Sequence, residues 1–254
     1  MLLLIISKLY RKERIDVFQC KYIIQEKMAN IRPGKNHELM KKKVLYVSAR
    51  LFLEQGFTAT PLKQIAKEAE INIGSLMNLF KTKEEILCEL VSYMHERQFA
   101  KTTELLNGIT SDKILFYATE SCLQLYIAET GEHVRDLYGA AYSMPKSSAI
   151  VQKHMTEKLE SIFKESLPEL ETKDFYELEI ATSGIMRAFM TIPCNMYFTM
   201  DRKISRFLET TLKIYDIPKE KIKEIDTFVS QFDFEKIAKE MIQHTLENLD
   251  SKMM

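Results

Sequence analysis

Apolar residues recur at helical intervals along most of the chain, beginning near residue 43. In the first segment, apolar or small residues share one face at close to the i, i+3, i+4, i+7 spacing of an amphipathic helix: Val44, Leu45, Ser48, Leu51 and Phe52. Gly56 follows this face, and glycine takes the left-handed conformation that ends a helix at little cost. The pattern therefore predicts a first helix that ends at Gly56.

A second, short helix is predicted after a brief turn. Its inward stripe lies at relative positions 0, 3, 4 and 7 and consists of Leu62, Ile65, Ala66 and Ala69. Thr60 is expected to cap this helix, because a threonine side chain can accept a hydrogen bond from the free backbone amides of the first turn. Pro61 would then occupy the first helical position, where no backbone donor is needed.

A third short helix is predicted after the turn Glu70–Asn72, with Asn72 as its N-terminal cap and its end near Phe80. The space between the helices is expected to be filled by Ile71, Leu76 and Phe80. Thr82 and Glu85 are spaced as a capping box, which predicts the start of a long fourth helix. Two helices joined by a turn of three or four residues form a helix-turn-helix, whose second helix reads DNA.

The remainder of the chain predicts further helices separated by glycine and proline. Their approximate ranges are 83–106, 112–129, a short helix ending near 142, 147–167, 173–196, 201–215, 219–228 and 233–249. No run of alternating β-branched residues predicts a sheet. The expected fold class is all-α, with a three-helix helix-turn-helix domain at residues 37–83 and a larger helical domain at 84–254.

Residues 41–87 resemble the DNA-binding domain of the tetracycline-repressor (TetR) family. The family pattern is matched in one ungapped register at Val44, Leu45, Ser48, Phe52, Glu54, Gly56, Phe57, Thr60, Ile65, Ala66, Ala69, Gly74, Leu76, Phe80, Lys83 and Glu84. So many matches in one register are much more specific than a bare helix-turn-helix pattern. The resemblance implies a ligand-responsive transcriptional regulator, expected to be a repressor that binds a palindromic operator as a homodimer and is released by a small-molecule effector. The larger domain would then bind the ligand and form the dimer.

Two sets of candidate binding residues follow from the resemblance and the predicted helix faces. DNA contacts are expected from Lys43, Thr60, Lys63, Asn72, Gly74, Ser75, Met77, Asn78, Lys81 and Lys83. A pocket for a small apolar or amphipathic effector is expected among Tyr117, Tyr126, Tyr138, Tyr142, Met186 and Phe189. For these aromatic and methionine side chains the alternative is an ordinary core.

A dimer interface is expected on the predicted helix at residues 173–196. Its apolar positions alternate steps of four and three residues, a period typical of helices packed nearly antiparallel. The positions are Leu178, Thr182, Ile185, Phe189 and Ile192. In the resembled family, two helices near this place form a four-helix bundle with their counterparts in the second subunit, and the predicted helices at 173–196 and 201–215 are assigned to that role. The alternative is a stripe that faces the core of its own subunit.

Three residues depart from the family pattern. Glu70 stands where the turn usually has glycine, and it would be strained if its backbone required a positive φ. Met77 and Leu79 stand where the family often has polar residues that contact the DNA backbone. These departures motivate an alternative function, namely a helical dimer that binds a ligand or a protein without binding an operator.

The distribution of charge favours DNA contact in the amino-terminal part. The whole chain has 36 basic and 36 acidic residues, so its net charge indicates nothing about nucleic acid. Residues 35–83, however, hold nine Lys and Arg against four Asp and Glu, whereas residues 84–254 hold 20 against 29. A basic segment followed by an acidic one favours phosphate contact in the first. The run Lys41–Lys43 is either part of that contact or a solvated helix start.

Composition argues against several other classes of protein. Seven glycines, six prolines and 14 methionines in 254 residues suit helices throughout. Four scattered cysteines without a Cys-x-x-Cys pair suit a reducing cytoplasm, which is the expected location. No apolar run reaches the ~18–20 residues that span a membrane. The histidines have no ligand spacing, and phosphate-loop and nucleophile-elbow motifs are missing, so no catalytic residue, metal or cofactor is expected.

Residues 1–36 precede the matched pattern as an amino-terminal extension. The segment Met1–Ile6 is too short to span a membrane and lacks the features of a signal peptide. Our hypothesis is that residues 1–27 are translated upstream sequence and that Met28 or Met40 is the true start. The alternative is an amino-terminal arm helix that packs on the larger domain or on DNA.

Overall fold

Helices account for nearly all the regular structure of this chain. The computed structural model describes residues 33–253, with side chains described for residues 37–247. The helices within this range are α1 (Pro33–Gln55), α2 (Leu62–Glu68), α3 (Ile73–Leu79), α4 (Lys83–Leu106), α5 (Lys113–Glu129), α6 (Glu132–Ser143), α7 (Pro145–Phe163), α8 (Thr172–Thr191), α9 (Met200–Ile214), α10 (Lys219–Val229) and α11 (Phe234–Met253). Over the same range β-structure is limited to one isolated bridge, between Asn195 and Phe198. The predicted all-α class is confirmed.

The chain divides into two compact units, residues 1–43 and residues 44–254. The described part of the first unit is the beginning of α1, and the second unit holds the rest of α1 and all later helices. The predicted domain boundary between residues 83 and 84 lies inside the second unit and stays a prediction. The proposed start at Met28, like Cys20, lies outside the described residues. No helix in the described range is long and apolar enough to cross a membrane.

The helix ends follow from local chemistry. α8 ends at Thr191, whereas the apolar period predicted a helix as far as residue 196. Pro193 explains the difference, because it has no backbone donor and its ring collides with the preceding helical turn. α7 begins directly at Pro145, which occupies its first turn, where proline is favoured.

α5 is the central helix of the second unit. It packs against α4, α6, α8, α10 and α11, and its residues from Tyr117 to Leu125 are all buried. A helix that is buried on every side is usually apolar throughout. α5 nevertheless carries Glu120 and Gln124 in this buried stretch. The centre of the larger domain is therefore partly polar.

A buried ion pair connects four parts of the larger domain. The side chain of Lys203 on α9 is fully buried, and its Nζ lies 2.5 Å from Oε1 of Glu129 at the end of α5. The same ammonium donates to the carbonyl oxygen of Ile192, just after α8, at 2.6 Å. Arg135 on α6 lies 3.4 Å from the second oxygen of Glu129. These contacts fix the end of α5 against its neighbours.

Candidate nucleic-acid interface

The turn between α2 and α3 has the backbone conformation of a helix-turn-helix. Ala69 ends α2 and donates to the carbonyl of Ile65 at 2.8 Å. The next residue, Glu70, has φ 54, in the left-handed region where glycine is normally found. The turn therefore does require a positive φ at this position. Holding glutamate there costs of order 1 kcal/mol, which the surrounding packing must offset.

α3 is fixed at its start and along its inner face. Oδ1 of Asn72 accepts from the backbone amide of Ser75 at 2.7 Å, so the predicted N-terminal cap is confirmed. Leu76 is fully buried, and Phe80 follows as a buried residue after the helix. One cap and one apolar anchor thus set both the position of α3 and the face that it turns outward.

The outward face of α3 carries both polar and apolar residues. Asn78 and Gly74 are exposed, and Ser75 is half-buried. Ile73 is 42% exposed and Met77 is 41% exposed, which is high for large apolar side chains. Lys63 and Lys67 on α2 and Lys81 just after α3 are also exposed. The outward face of α3 therefore offers hydrogen-bonding groups and apolar contact area, and the flanking segments carry exposed positive charge.

Thr60 does not cap α2, and this expectation was wrong. The residue before α2 is Pro61, whose side chain can make no cap, and α2 begins at Leu62. Thr60 is instead fully buried. Its hydroxyl donates to the carbonyl of Gly56 at 2.6 Å and accepts from Nε2 of Gln55 at 3.0 Å. Thr60 therefore stabilises the α1–α2 turn from inside, and a DNA contact through its side chain is excluded in this conformation.

Lys83 has a structural contact where a phosphate contact was predicted. Its Nζ donates to the carbonyl oxygens of Phe57 at 2.6 Å and Thr60 at 2.9 Å, with that of Thr58 at 3.4 Å. It also lies 4.3 Å from the centroid of the Phe57 ring. Burial lowers the pKa of this ammonium, and the nearby carboxylate of Asp136 opposes that shift. The three donors of Lys83 are thus used within the chain.

Polar pairs attach α2 to α1. Nη2 of Arg50 lies 2.5 Å from Oε2 of Glu68, and Nε2 of Gln55 donates to Oε1 of Gln64 at 2.8 Å. The Arg50–Glu68 pair is about one quarter exposed on each side. Because the pair is only partly desolvated, it should contribute little to the free energy of unfolding. It fixes the orientation of α2, and through the turn it fixes α3.

One carboxylate connects the helix-turn-helix to the larger domain. Asp136 on α6 accepts from the backbone amide of Thr58 at 2.7 Å and from the Thr58 hydroxyl at 2.6 Å. Gly56 has φ +91, and a Cβ at this position would lie only 2.9 Å from Oδ2 of Asp136. Glycine is therefore required here both by the backbone conformation and by the close approach of α6.

A cavity of about 490 Å³ adjoins this connection. It is lined from the α1–α2 turn by Phe57 and Thr58 and from the larger domain by Glu132, Arg135, Asp136, Gly139, Ala140, Ser143, Met144 and Thr191. A displacement of α6 would change this cavity and the hold on Thr58 together.

A second connection joins the starts of α4 and α7. The backbone amide of Lys146 donates to Oε1 of Glu84 at 2.6 Å, and its Nζ lies 3.0 Å from Oε1 of Glu85. Thr82 accepts from the amide of Glu85 at 3.2 Å, as the predicted capping box requires. Glu85 accepts from the amide of Lys81 at 2.7 Å rather than from that of Thr82, so the box is completed one residue earlier.

The residues predicted to form an effector pocket separate into two groups. Tyr117, Tyr138 and Met186 are buried, and burial raises the pKa of Tyr142 well above its usual value. Tyr126 lies elsewhere, stacked on Phe234 with ring centroids 5.6 Å apart beside a surface cavity of about 300 Å³.

Phe189 packs on Phe198 and Phe207, each at a centroid distance of 5.8 Å. One pocket that unites Phe189 and Tyr126 with the buried tyrosines stays a prediction.

The predicted dimer positions face largely inward. Thr182 is buried and hydrogen-bonds to Tyr215, with 3.0 Å between the two hydroxyl oxygens. Leu178, Ile185 and Phe189 are half-buried and pack against the core of their own subunit. Among the five predicted positions, Ile192 alone is more than half exposed, at 53%. Thr182 therefore faces the core of its own subunit, and the dimer interface at the other four positions stays a prediction.

Three acidic residues with structural importance were missed at the level of sequence. Asp136 gives no signal, because its partner Thr58 is 78 positions away. Glu120 and Glu179 are 2% and 4% exposed, respectively. Glu120 could have been found, since it is a single acid within an otherwise apolar or small stretch of a predicted helix.

Comparison with known proteins identifies the amino-terminal part of this arrangement. The family model described as bacterial regulatory proteins, tetR family, matches residues 44–90. The HTH-type transcriptional regulator UidR of Escherichia coli (strain K12) is 27% identical over 117 residues, which cover 45% of this chain and 58% of UidR. The HTH-type transcriptional regulator PksA of Bacillus subtilis (strain 168) is 31% identical over 92 residues, which cover 36% of this chain and 42% of PksA. The chain thus matches less than two thirds of the length of either relative.

A solved structure is similar over a longer stretch but with a low score. The crystal structure of a gamma-butyrolactone receptor (ArpA like protein) covers 80% of this chain and 98% of its own, with 12% sequence identity and a TM-score of 0.43.

Proposed function

We propose that this chain, whose residues 44–90 match the model of the tetR family of bacterial regulatory proteins, is a ligand-responsive transcriptional repressor of that family. It would act in the cytoplasm, bind a palindromic operator as a homodimer and leave the DNA when a small molecule binds its larger domain. The observation that carries this proposal is the outward face of α3, held by the Asn72 cap and by Leu76 beside three exposed lysines.

α3 would enter the major groove of the operator. Asn78 has the side-chain amide that pairs with the edge of adenine, and Ser75 can hydrogen-bond to a base or a phosphate. Ile73 and Met77 would supply apolar contact with thymine methyl groups. This role accounts for a methionine where a polar residue is common. Lys63 and Lys81 would contact phosphates and fix the register of α3 on the duplex.

The dimer would form through the outward face of α8, with a second copy of the chain as the occupant. Tyr176 is 44% and Ile180 is 47% exposed, one helical turn apart on α8. Gly184 follows one turn later, and open space surrounds the position of a Cβ at Gly184. Small residues permit close approach of two helices. Two copies related by a two-fold axis would present two α3 helices to the two halves of a palindrome.

The contact of Asp136 with Thr58 would carry the effector signal. An effector that binds the larger domain and displaces α6 would withdraw Asp136 from the α1–α2 turn and change the position of α3. The effector must bind the DNA-free conformation better than the DNA-bound one. A preference of about 100-fold corresponds to about 2.7 kcal/mol per site.

The test is a gel shift on the DNA upstream of the protein's own gene, with selection from a random duplex pool as a second arm. We expect a saturable complex that survives competition by unrelated DNA and selected sequences with two-fold symmetry. The affinity of this complex should fall as salt concentration rises, and the slope of log affinity against log salt concentration (the salt slope) should indicate several phosphate contacts. If neither source yields a sequence preference, the proposal is overturned in favour of a helical ligand-binding or protein-binding dimer without an operator.

A further inference from the structure

We infer that the effector site is a buried cluster of glutamates and tyrosines in the larger domain, and that the effector is an amphipathic organic cation. The cluster consists of Glu120, Glu179, Tyr117, Tyr138, Tyr142 and Tyr215. The inference rests on the proposed regulatory function and names the chemical class of its ligand.

Two carboxyl groups lie inside the larger domain without a cationic partner. Glu120 is on α5 and Glu179 is on α8, and both are more than nine-tenths buried. Among the described residues, neither forms an ion pair within 4 Å of Lys, Arg or His. Lys158 on α7 acts on Glu120 from a distance, but its Nζ lies over the ring of Phe99, 2.8 Å from the centroid. Buried acids are normally paired with a cation or bound to a metal.

The hydrogen bonds that the two acids do make come from neutral groups. Oε1 of Glu120 accepts from the Gln124 amide at 3.0 Å, and Oε2 of Glu179 accepts from the Thr182 hydroxyl at 3.1 Å. Such contacts hold the carboxyl groups in place and bring no positive charge to them. The two acids are near enough to interact electrostatically, and each acts on Tyr117 and Tyr142 between them.

Aromatic rings and amides complete the surroundings. Tyr117, Phe163 and Tyr215 form an aromatic group in which Phe163 and Tyr215 stack with centroids 4.0 Å apart. Gln98 donates to the hydroxyl of Tyr138, and the hydroxyl of Tyr142 donates to Gln124 at 3.0 Å. Faces of tyrosine rings attract cations, most strongly where water is excluded. Carboxyl groups, ring faces and apolar neighbours together favour a cation with a hydrophobic body.

An unpartnered polar atom borders the cluster. His95 on α4 is 5% exposed, its ring centroid lies 6.5 Å from that of Tyr142, and its Nδ1 has no hydrogen-bond partner among the described residues. Burial lowers the pKa of His95 to about 4, so the ring is neutral at physiological pH and can accept a hydrogen bond from an ammonium group. In native proteins a buried polar atom without a hydrogen-bond partner is uncommon.

The protonation of the two acids agrees with this chemistry. Burial raises the pKa of Glu120 to about 7, with Lys158 opposing, and that of Glu179 to about 8. At pH 7, Glu179 is therefore mostly protonated and Glu120 is about half protonated while no cation is present. A bound cation would favour the carboxylate form, and each carboxyl group that ionises would release one proton to solvent.

The test uses three probes of similar shape and different charge: 4-phenylbutylamine, 4-phenylbutanol and 4-phenylbutanoate. Binding to the full-length protein is measured by calorimetry at pH 7 in two buffers of different ionisation enthalpy. We expect the amine to bind at least 10-fold more tightly than the alcohol, the carboxylate to bind most weakly, and amine binding to release protons. Equal affinities, or undetectable binding of the amine, would overturn the inference.

Variants locate the site. Glu120→Gln and Glu179→Gln keep the size of each side chain, and each should reduce the preference for the amine over the alcohol at least 10-fold. Glu177→Gln, at an exposed position on the same helix as Glu179, is the matched control and should leave it unchanged. An unchanged preference in both buried variants would overturn the assignment. If either variant fails to fold, the probe series on the natural protein still decides the question.

A gel shift with the same amine separates this inference from the proposed function. Amine binding that leaves the protein–DNA complex intact would support the cation site and count against its role as the effector site. Release of DNA by the alcohol and the amine at equal concentrations would support the regulator and overturn the inference about charge.

Discussion

The carboxylate of Asp136 accepts both the backbone amide and the hydroxyl of Thr58, at 2.7 and 2.6 Å. Thr58 lies in the α1–α2 turn, and Asp136 lies on α6 of the larger domain. A single side chain thus fixes two polar groups of the turn that precedes the helix-turn-helix pair. Replacing Asp136 would leave that turn to be held by Lys83 and the buried hydroxyl of Thr60.

Substitution at Gly56 tests how closely α6 approaches this turn. Gly56→Ala combines a strained φ of +91 with a Cβ 2.9 Å from Asp136. Gly108→Ala is the matched control, because its φ is +75 but open space surrounds the position of its Cβ. We expect both to lower the free energy of unfolding by about 1 kcal/mol from backbone strain, and Gly56→Ala by at least about 1 kcal/mol more. Urea denaturation measures both, and equal losses would contradict the close contact.

Lys83 and Lys81 should behave differently although they are two residues apart. Lys83→Met removes the side-chain donor to the Thr60 carbonyl and one of two donors to the Phe57 carbonyl, so it should cost about 1–3 kcal/mol of stability. Lys81 is exposed, and Lys81→Met should leave stability unchanged while reducing the salt slope of DNA binding by about one counterion. Thermal unfolding and a salt titration compare the two variants. If Lys83→Met is as stable as the natural protein and has a reduced salt slope, Lys83 contacts a phosphate and the structural role is wrong.

Asn78 should determine sequence preference. If its amide reads a base, Asn78→Ala should weaken binding to the preferred operator by about 1–3 kcal/mol and relax the preference at one position of each half-site. Lys63→Ala is the control, because loss of a phosphate contact weakens all sequences about equally. Competition gel shifts with operator variants distinguish the two patterns. A uniform loss for Asn78→Ala would remove it from base recognition.

A charged side chain at Ile180 should dissociate the proposed dimer. Ile180→Asp would bury two carboxylates near the two-fold axis of an apolar interface, at a cost of several kcal/mol. Ile109→Asp changes an isoleucine of similar exposure, 58% against 47%, in the loop after α4. Sedimentation velocity should find a monomer for the first variant and a dimer for the second. A dimeric Ile180→Asp protein would place the interface on another face.

The two buried glutamates should make stability depend on pH. Their pKa values are about 7 and 8 in the folded protein against 4.5 as the ordinary value, so the unfolded chain ionises first as pH rises. The free energy of unfolding should therefore fall between about pH 5 and pH 8, by up to about 1.4 kcal/mol per pH unit for each group. Glu120→Gln and Glu179→Gln should each flatten the slope measured by urea denaturation, and Glu177→Gln should not. A slope that survives both changes would assign the effect to other groups.

Sequence alone predicted what depends on neighbours along the chain. The Asn72 cap and the end of α1 at Gly56 are local, and each follows from backbone chemistry. The roles of Thr60 and Lys83 could not be predicted this way, because burial and distant carbonyls determine them. The inward position of Thr182 could not be predicted for a related reason: a period of 3.5 residues identifies a packed face but not the subunit against which it packs.

The contact of Lys203 with Glu129 has a consequence for how this protein can diverge. The side chain of Lys203 is fully buried and Glu129 is its carboxylate partner, so replacing Glu129 alone would leave an uncompensated charge in the interior, typically at a cost of about 3–5 kcal/mol. Replacing Lys203 alone would leave Glu129, which is 18% exposed, with Arg135 as its remaining cation. Among closely related sequences, position 129 should therefore lose its acid only where position 203 has also lost its charge.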